Sequence, residues 1–205
     1  MFCPTRARTR TQKKYDLMLI ENTPIEGLVI IKPRRFSDSR GYFSEVYNKI
    51  TLEKENITTS EFIQDNHSMS REVATVRGLH FQRPPAAQAK LVRVARGSIF
   101  DVAVDIRVNS PDFGRWFATE LSACGGEQLW IPEGFAHGFM TLEPNTEVLY
   151  KVTAPYAPAT EGSIRFDDPD LAIEWPLPVE DAKLSDKDAK APPFSDYDGA
   201  FKISR

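Results

Sequence analysis

Ser98-Ile99-Phe100-Asp101-Val102-Ala103-Val104-Asp105-Ile106 changes character at every second residue. In an extended chain Phe100, Val102, Val104 and Ile106 point one way, while Ile99, Asp101, Ala103 and Asp105 point the other. This period, with its β-branched residues, predicts a strand. The first set predicts a core face. The second carries two carboxylates, so it either meets solvent or lines a polar cavity between sheets. Gly97 before the stretch and Asn109-Ser110-Pro111 after it supply the turns.

The same pattern extends outward in both directions. Short runs rich in Val, Ile, Phe and Tyr occupy residues 28–32, 90–95, 116–121, 128–131, 135–142 and 148–153, with turn residues between them. Such a series predicts an all-β sandwich or barrel. Helical periodicity is scarce. A short helix is expected over residues 52–55 with Thr51 as its N-cap. The Pro-rich tail from Pro176 is expected to pack as irregular segments and short helices. There is no internal repeat, low-complexity tract or sign of a second domain, and 205 residues suit a single one.

Residues 1–17 carry Arg6, Arg8, Arg10, Lys13 and Lys14 without the apolar stretch of a secretory signal, and are expected to be a disordered basic extension outside the fold. The remaining residues, 18–205, form the expected domain. An apolar fraction of 41% and a charged fraction of 27% suit a globular chain with a sizeable core. With 26 basic against 29 acidic residues there is no overall positive field to draw nucleic acid or an anionic membrane, so an anionic ligand must be held by local cations. No apolar run is long enough to span a bilayer. Cys3 and Cys124 are too few for a disulfide framework and lack zinc-site spacing, which fits a reducing, cytoplasmic setting. No Gly-rich nucleotide loop supports nicotinamide or ATP chemistry.

His67, His80 and His137 are the only histidines, and neighbours distinguish two of them. His137 closes Pro132-Glu133-Gly134-Phe135-Ala136-His137, which resembles the second motif of the cupin superfamily, small jelly-roll barrels in which this histidine commonly binds metal. The first motif normally has two histidines one residue apart and a glutamate. Here His80 is followed by Phe81-Gln82, and downstream stand Gln88 and Lys90. An ammonium group in the cavity repels a divalent metal. A base at His80 and a fixed cation at Lys90 are instead the equipment for forming an enolate beside a ketone. Two other classes compete: a metal-dependent cupin using His80 and His137 as ligands, and a noncatalytic protein that only binds such a compound.

A more specific resemblance lies in a series of segments in fixed order. They are Asp38-Ser39-Arg40-Gly41-Tyr42-Phe43-Ser44-Glu45, Gln64-Asp65-Asn66-His67-Ser68, Arg77-Gly78-Leu79-His80-Phe81-Gln82, Gln88-Ala89-Lys90-Leu91-Val92, the strand at Phe100-Asp101-Val102, the segment ending in His137, Leu149-Tyr150-Lys151, Asp168-Pro169-Asp170-Leu171, Trp175-Pro176 and Leu184-Ser185-Asp186-Lys187-Asp188. Over residues 18–188 the chain resembles the dTDP-4-dehydrorhamnose 3,5-epimerase family, a branch of the cupin superfamily. The resemblance implies a cupin-like double-stranded β-helix, or jelly-roll barrel, with short peripheral helices. It also implies a cofactor-independent isomerase that inverts C3 and C5 of a dTDP-4-keto-6-deoxyhexose, supplying dTDP-rhamnose for lipopolysaccharide or exopolysaccharide. A relative acting at only one of these carbons is the alternative.

Within that resemblance His80 is the general base and Asp188 its carboxylate partner, chosen over Asp186 by the Leu-Ser-x-Lys-Asp pattern. Tyr150 is the general acid on the opposite face of the sugar, and Lys90 stabilises the enolate oxygen. His137 adds a hydrogen bond near that oxygen or lines the sugar pocket. Arg77 and Arg40 suit the diphosphate, Phe43 and Glu45 the thymine, and Gln64 and Asn66 the phosphate or sugar, with Tyr156 and Glu161 completing the pocket. In the family the segment around Arg40 to Glu45 serves a neighbouring subunit's site, which implies a homodimer by strand exchange.

Overall fold

A computed structural model describes residues 17–58 and 61–202. Residues 1–16, all but the last of the expected extension, lie outside the described residues, while the Leu17 carbonyl accepts from the Arg34 amide at 2.7 Å. Among those described, thirteen strands build the molecule. They are β1 (Met18–Asn22), β2 (Val29–Pro33), β3 (Arg35–Asp38), β4 (Gly41–Ser44), β5 (Gln64–Ser70), β6 (Val76–Gln82), β7 (Lys90–Arg96), β8 (Ser98–Asp105), β9 (Trp116–Ser122), β10 (Gln128–Ile131), β11 (Phe135–Thr141), β12 (Thr146–Val152) and β13 (Glu161–Ser163). One sheet runs in the order β1-β2-β10-β7-β12-β5 and the other in the order β13-β6-β11-β8-β9, while β3 and β4 form a separate hairpin. The two large sheets face each other as a jelly-roll barrel, the all-β class that the strand pattern predicts. Among the described residues no helix is long and apolar enough to cross a membrane.

Between the sheets lies a core that includes Val92, Val94, Ile99, Ala103, Leu121, Leu129, Ile131, Phe135 and Val148. A second core lies outside the five-stranded sheet. There Leu79, Phe81, Val102, Val104 and Ile106 pack under Ile164, Leu171 and Phe201 of the C-terminal segment. This settles the reading of β8. Its more apolar face is a core face, as expected, and that core lies beneath the C-terminal segment. The interior face is the one with carboxylates, and Asp101 and Asp105 are completely buried there. A buried carboxylate must be paired. Asp105 sits at the barrel end on Arg107 and on the Ser110 hydroxyl, whereas Asp101 points into the barrel toward His137.

The helix also differs from expectation. It spans Lys49–Lys54, and its N-cap is Asn48, whose side-chain oxygen accepts from the Thr51 amide at 3.2 Å. Asn48 is in an extended conformation that exposes its carboxamide to the first turn, the geometry a cap requires. The helix packs Leu52 with Met18, Leu91 and Trp130 against the outside of the six-stranded sheet. As expected, the tail from Pro176 is irregular, with short 3-10 turns at Val179–Asp181, Asp188–Lys190 and Phe194–Asp196.

One local feature of β6 positions the site. The register between β6 and β11 pairs His80 with His137 but Arg77 with Phe139, so it slips between them. Gly78 makes this possible: its φ is +126°, and a Cβ there would lie 2.5 Å from the Gly138 Cα. In a regular strand residues 77 and 80 face opposite sides. The bulge turns both inward.

Candidate active site

Near one end of the barrel is a cavity of about 250 Å³ lined by Ser68, Arg77, His80, Lys90, His137, Phe139, Tyr150, Ser185, Lys187 and Asp188. All four residues proposed for catalysis meet here, from three different parts of the chain. His80 lies on the five-stranded sheet, Lys90 and Tyr150 lie on the six-stranded sheet, and Asp188 comes from the C-terminal segment.

Asp188 Oδ1 is 2.5 Å from His80 Nε2. Its other oxygen accepts from the Ser185 hydroxyl at 2.9 Å, and that hydroxyl in turn accepts from the Asp188 amide at 3.1 Å. Burial alone pushes the Asp188 carboxyl up, but the hydrogen bonds and positive charge of His80, Ser185 and Lys187 together hold it below the ordinary range. Asp188 therefore remains an acceptor at neutral pH. An acceptor at Nε2 fixes the proton there and leaves Nδ1 with its lone pair. The segment carrying Asp188 is tied to the start of β6 by backbone bonds, Lys183 N to Ala74 O at 2.8 Å and Val76 N to Lys183 O at 3.0 Å.

Lys90 opens β7 on its inner face, in line with Val92 and the register partners Val152 and Tyr150. It is buried, and its amine donates to the His80 carbonyl at 3.4 Å. Burial lowers its pKa to about 8, against the opposing pull of Asp101 and Glu161. The amine is still mostly charged at neutral pH. Burial raises the Tyr150 phenol above its ordinary value, partly offset by the Arg77 charge, so it stays protonated. His137 Nε2 lies 3.0 Å from both oxygens of Asp101.

Arg77 and His137 are the two proposed binding residues that line the cavity itself. Arg77 is braced by Nε to the Ser70 hydroxyl and Nη2 to the Met69 carbonyl, each at 3.2 Å. Gln64, Asn66, Tyr156 and Glu161 form a linked group. The Gln64 amide donates to Asn66 at 2.8 Å and its oxygen accepts from the Tyr156 amide. The Tyr156 hydroxyl donates to Glu161 at 3.0 Å, and Lys187 pairs with the other Glu161 oxygen.

Arg40, Phe43 and Glu45 are not brought to this cavity. Arg40 bonds Asp38 within the β3–β4 hairpin, and Phe43 is 71% exposed. Glu45 lines a separate cavity of about 300 Å³ with Tyr47, Arg93 and Lys151, and its Oε1 is buried without a partner among the described residues. Sequence reasoning also missed four lining residues, Ser68, Phe139, Ser185 and Lys187, and the buried support Asp101. A signal existed for Ser185, since Ser-x-x-Asp is a local capping pattern. The carboxylate on the interior face of β8 was the signal for Asp101.

The family profile described as dTDP-4-dehydrorhamnose 3,5-epimerase matches residues 22–196. A dTDP-4-dehydrorhamnose 3,5-epimerase of Salmonella typhimurium is 51% identical over 176 residues, covering 86% of this chain and 95% of that protein. One from Sinorhizobium fredii is 47% identical over 187 residues, covering 91% and 95%. The crystal structure of dTDP-6-deoxy-D-glucose-3,5-epimerase from Legionella pneumophila in complex with dTDP-4-keto-L-rhamnose superposes with a TM-score of 0.87 at 44% identity, over 92% of this chain and 99% of that one.

Proposed function

The chain belongs to the dTDP-4-dehydrorhamnose 3,5-epimerase family and is an epimerase of that class, and we propose that it works by proton transfer between His80 and Tyr150 across the cavity. The reaction is inversion of C3 and C5 of dTDP-4-dehydro-6-deoxy-D-glucose, giving dTDP-4-dehydro-L-rhamnose. The observation that carries the mechanism is the placement of base and acid on facing sheets. His80, backed by Asp188 at 2.5 Å, lies on one wall, and the protonated Tyr150 lies on the other. A base and an acid on opposite faces of a carbon return the proton to the side opposite the one it left.

His80 Nδ1 takes the proton beside the 4-keto group, and Asp188 stabilises the imidazolium that forms. The electron pair of the broken C–H bond moves into the enolate, whose oxygen is stabilised by the Lys90 ammonium in a site shielded from water. Tyr150 then delivers its proton to the carbon from the other side, and solvent restores both groups. The ketone activates C3 and C5 alike, and the net reaction involves no oxidation.

Arg77 suits the diphosphate, and the group of Gln64, Asn66, Tyr156 and Glu161 suits the sugar and nucleotide at the rim. Arg40, Phe43 and Glu45 reach a neighbouring subunit's site in a homodimer. Residues 18–205 act as one catalytic domain in the cytoplasm. Turnover in deuterated water followed by NMR tests the reading. Label at both C3 and C5, lost together in His80→Ala, is expected. Label at a single carbon would demote the chain to a one-site epimerase, and normal exchange in His80→Ala would remove the base.

A further inference from the structure

The cavity contains two histidine–carboxylate pairs side by side. His80 and His137 face each other across the β6–β11 register, and each commits Nε2 to a carboxylate, Asp188 for His80 and Asp101 for His137. One mechanism needs only one base, so the second pair requires an account. Resting on the epimerase reading above, we propose that Asp101 is a positioning residue that fixes His137 as a hydrogen-bond acceptor for a sugar hydroxyl, leaving the enolate oxygen to Lys90.

The geometry decides the tautomer. A carboxylate only accepts, and both Asp101 oxygens lie 3.0 Å from Nε2, so the ring's N–H is held there. A neutral imidazole has one N–H, and Nδ1 is then a lone pair. It has no protein partner among the described residues, while the ring lines the cavity. A sugar offers hydroxyl donors to such an atom. An oxyanion does not: a lone pair aimed at the enolate oxygen would repel it. Of the two roles expected of His137, the proposal takes the lining of the sugar pocket, through a hydroxyl contact, over a hydrogen bond to that oxygen.

Burial separates the two pairs. The His80 side chain is 28% exposed and that of His137 is 8% exposed. A base must become a cation, which is harder in the drier position. Burial indeed disfavours the charged form of His137, and the charges of Lys90 and His80 add to this against the pull of Asp101. Around the cavity the other charged or titratable groups are Arg77 and His80 on β6, Lys90 on β7, Tyr150 on β12, Glu161 on β13, and Lys187 and Asp188 on the C-terminal segment. Asp101 and Glu161 are the negative charges that favour the Lys90 ammonium. Asp101 thus serves both Lys90 and His137.

The test is nitrogen-15 NMR of the histidine rings in the full chain, with His137 assigned by its loss in His137→Gln. Wild type is expected to show His137 with a protonated Nε2 and an unprotonated Nδ1 throughout pH 6–8. A protonated Nδ1 overturns the proposal, and the tautomer itself is read in the wild-type chain. In Asp101→Asn the amide can donate to Nε2, so the tautomer is expected to flip and exchange at C3 and C5 to fall about 10–100-fold. The alkaline limb of the rate profile should also move to lower pH, a change that a merely structural role would not produce. Exchange within about twofold of wild type with an unmoved limb overturns the proposal while leaving the epimerase reading intact. Absence of exchange in wild type would instead remove the epimerase reading, with the tautomer still measured independently.

Discussion

The cavity and the β3–β4 hairpin make opposite uses of similar residue types. In the cavity every charged side chain has an internal role: Asp188 is held by His80 and Ser185, Asp101 by His137, and Lys90 is buried beside the His80 carbonyl. In the hairpin Arg40 bonds only its neighbour Asp38 among the described residues, and Tyr42 and Phe43 are 59% and 71% exposed. A single chain thus brings together the four residues proposed for proton transfer. The groups suited to the nucleotide stand apart from them. On the proposed reading, the chemistry is prepared within one chain and part of the recognition is offered outward.

Substitutions should follow this division. The largest effect is expected in the cavity: His80→Ala should reduce deuterium exchange at both carbons by about 10⁴-fold with dTDP affinity unchanged, measured by NMR and calorimetry. A matching loss of affinity would merge the two regions. Lys90→Met should cost about 10²–10³ in kcat. Wild-type kcat should decline as pH rises through about 8, where Lys90 loses its proton, and the variant should lack that limb. The stability effect of this group has the opposite sign. The folded-state pKa lies below the ordinary 10.5, so the unfolded chain binds more protons between about 8 and 10.5 and this group adds stability as pH rises through that window.

Hairpin variants should be weaker and of another kind. Phe43→Ala should raise KM about 10-fold with little change in kcat. Mixing it with His80→Ala should produce sites of wild-type KM, which combine an intact hairpin with an intact base. Failure to complement would return the hairpin to its own chain's site. The smallest effect is expected for Ser185→Ala, about fivefold in kcat, since it removes one of two supports of Asp188. No change would mean that His80 alone holds the carboxylate.

Much of the barrel was legible because alternation survives wherever one face is apolar, as in β8 and β10. It failed for β5. Gln64, Asn66 and Ser68 turn partly inward and Asp65 and His67 turn outward, so both faces are polar and no hydrophobic period remains. For β8 the alternation was legible, but which core each face enters was not. Both of its faces are buried, and the more apolar one belongs to the C-terminal segment's core. Residues of the candidate cavity were legible where a motif surrounds them, as at His80, Lys90 and Asp188. Asp101, Ser68 and Phe139 were not singled out because their meaning depends on which strands adjoin and which way they face. Nor does spacing alone reveal that Arg77 and His80 share a cavity, since only the Gly78 bulge reverses the intervening parity.

The distance along the chain between His80 and Asp188 has a consequence for biosynthesis. The two residues are separated by 108 positions, and the carboxylate arrives on a segment fastened by Lys183 to the start of β6. A nascent chain whose sheets have already paired therefore still has an unassisted imidazole. Translation must pass residue 188 before the ring acquires its partner, so the imidazole and its carboxylate are joined only after both sheets have been synthesised.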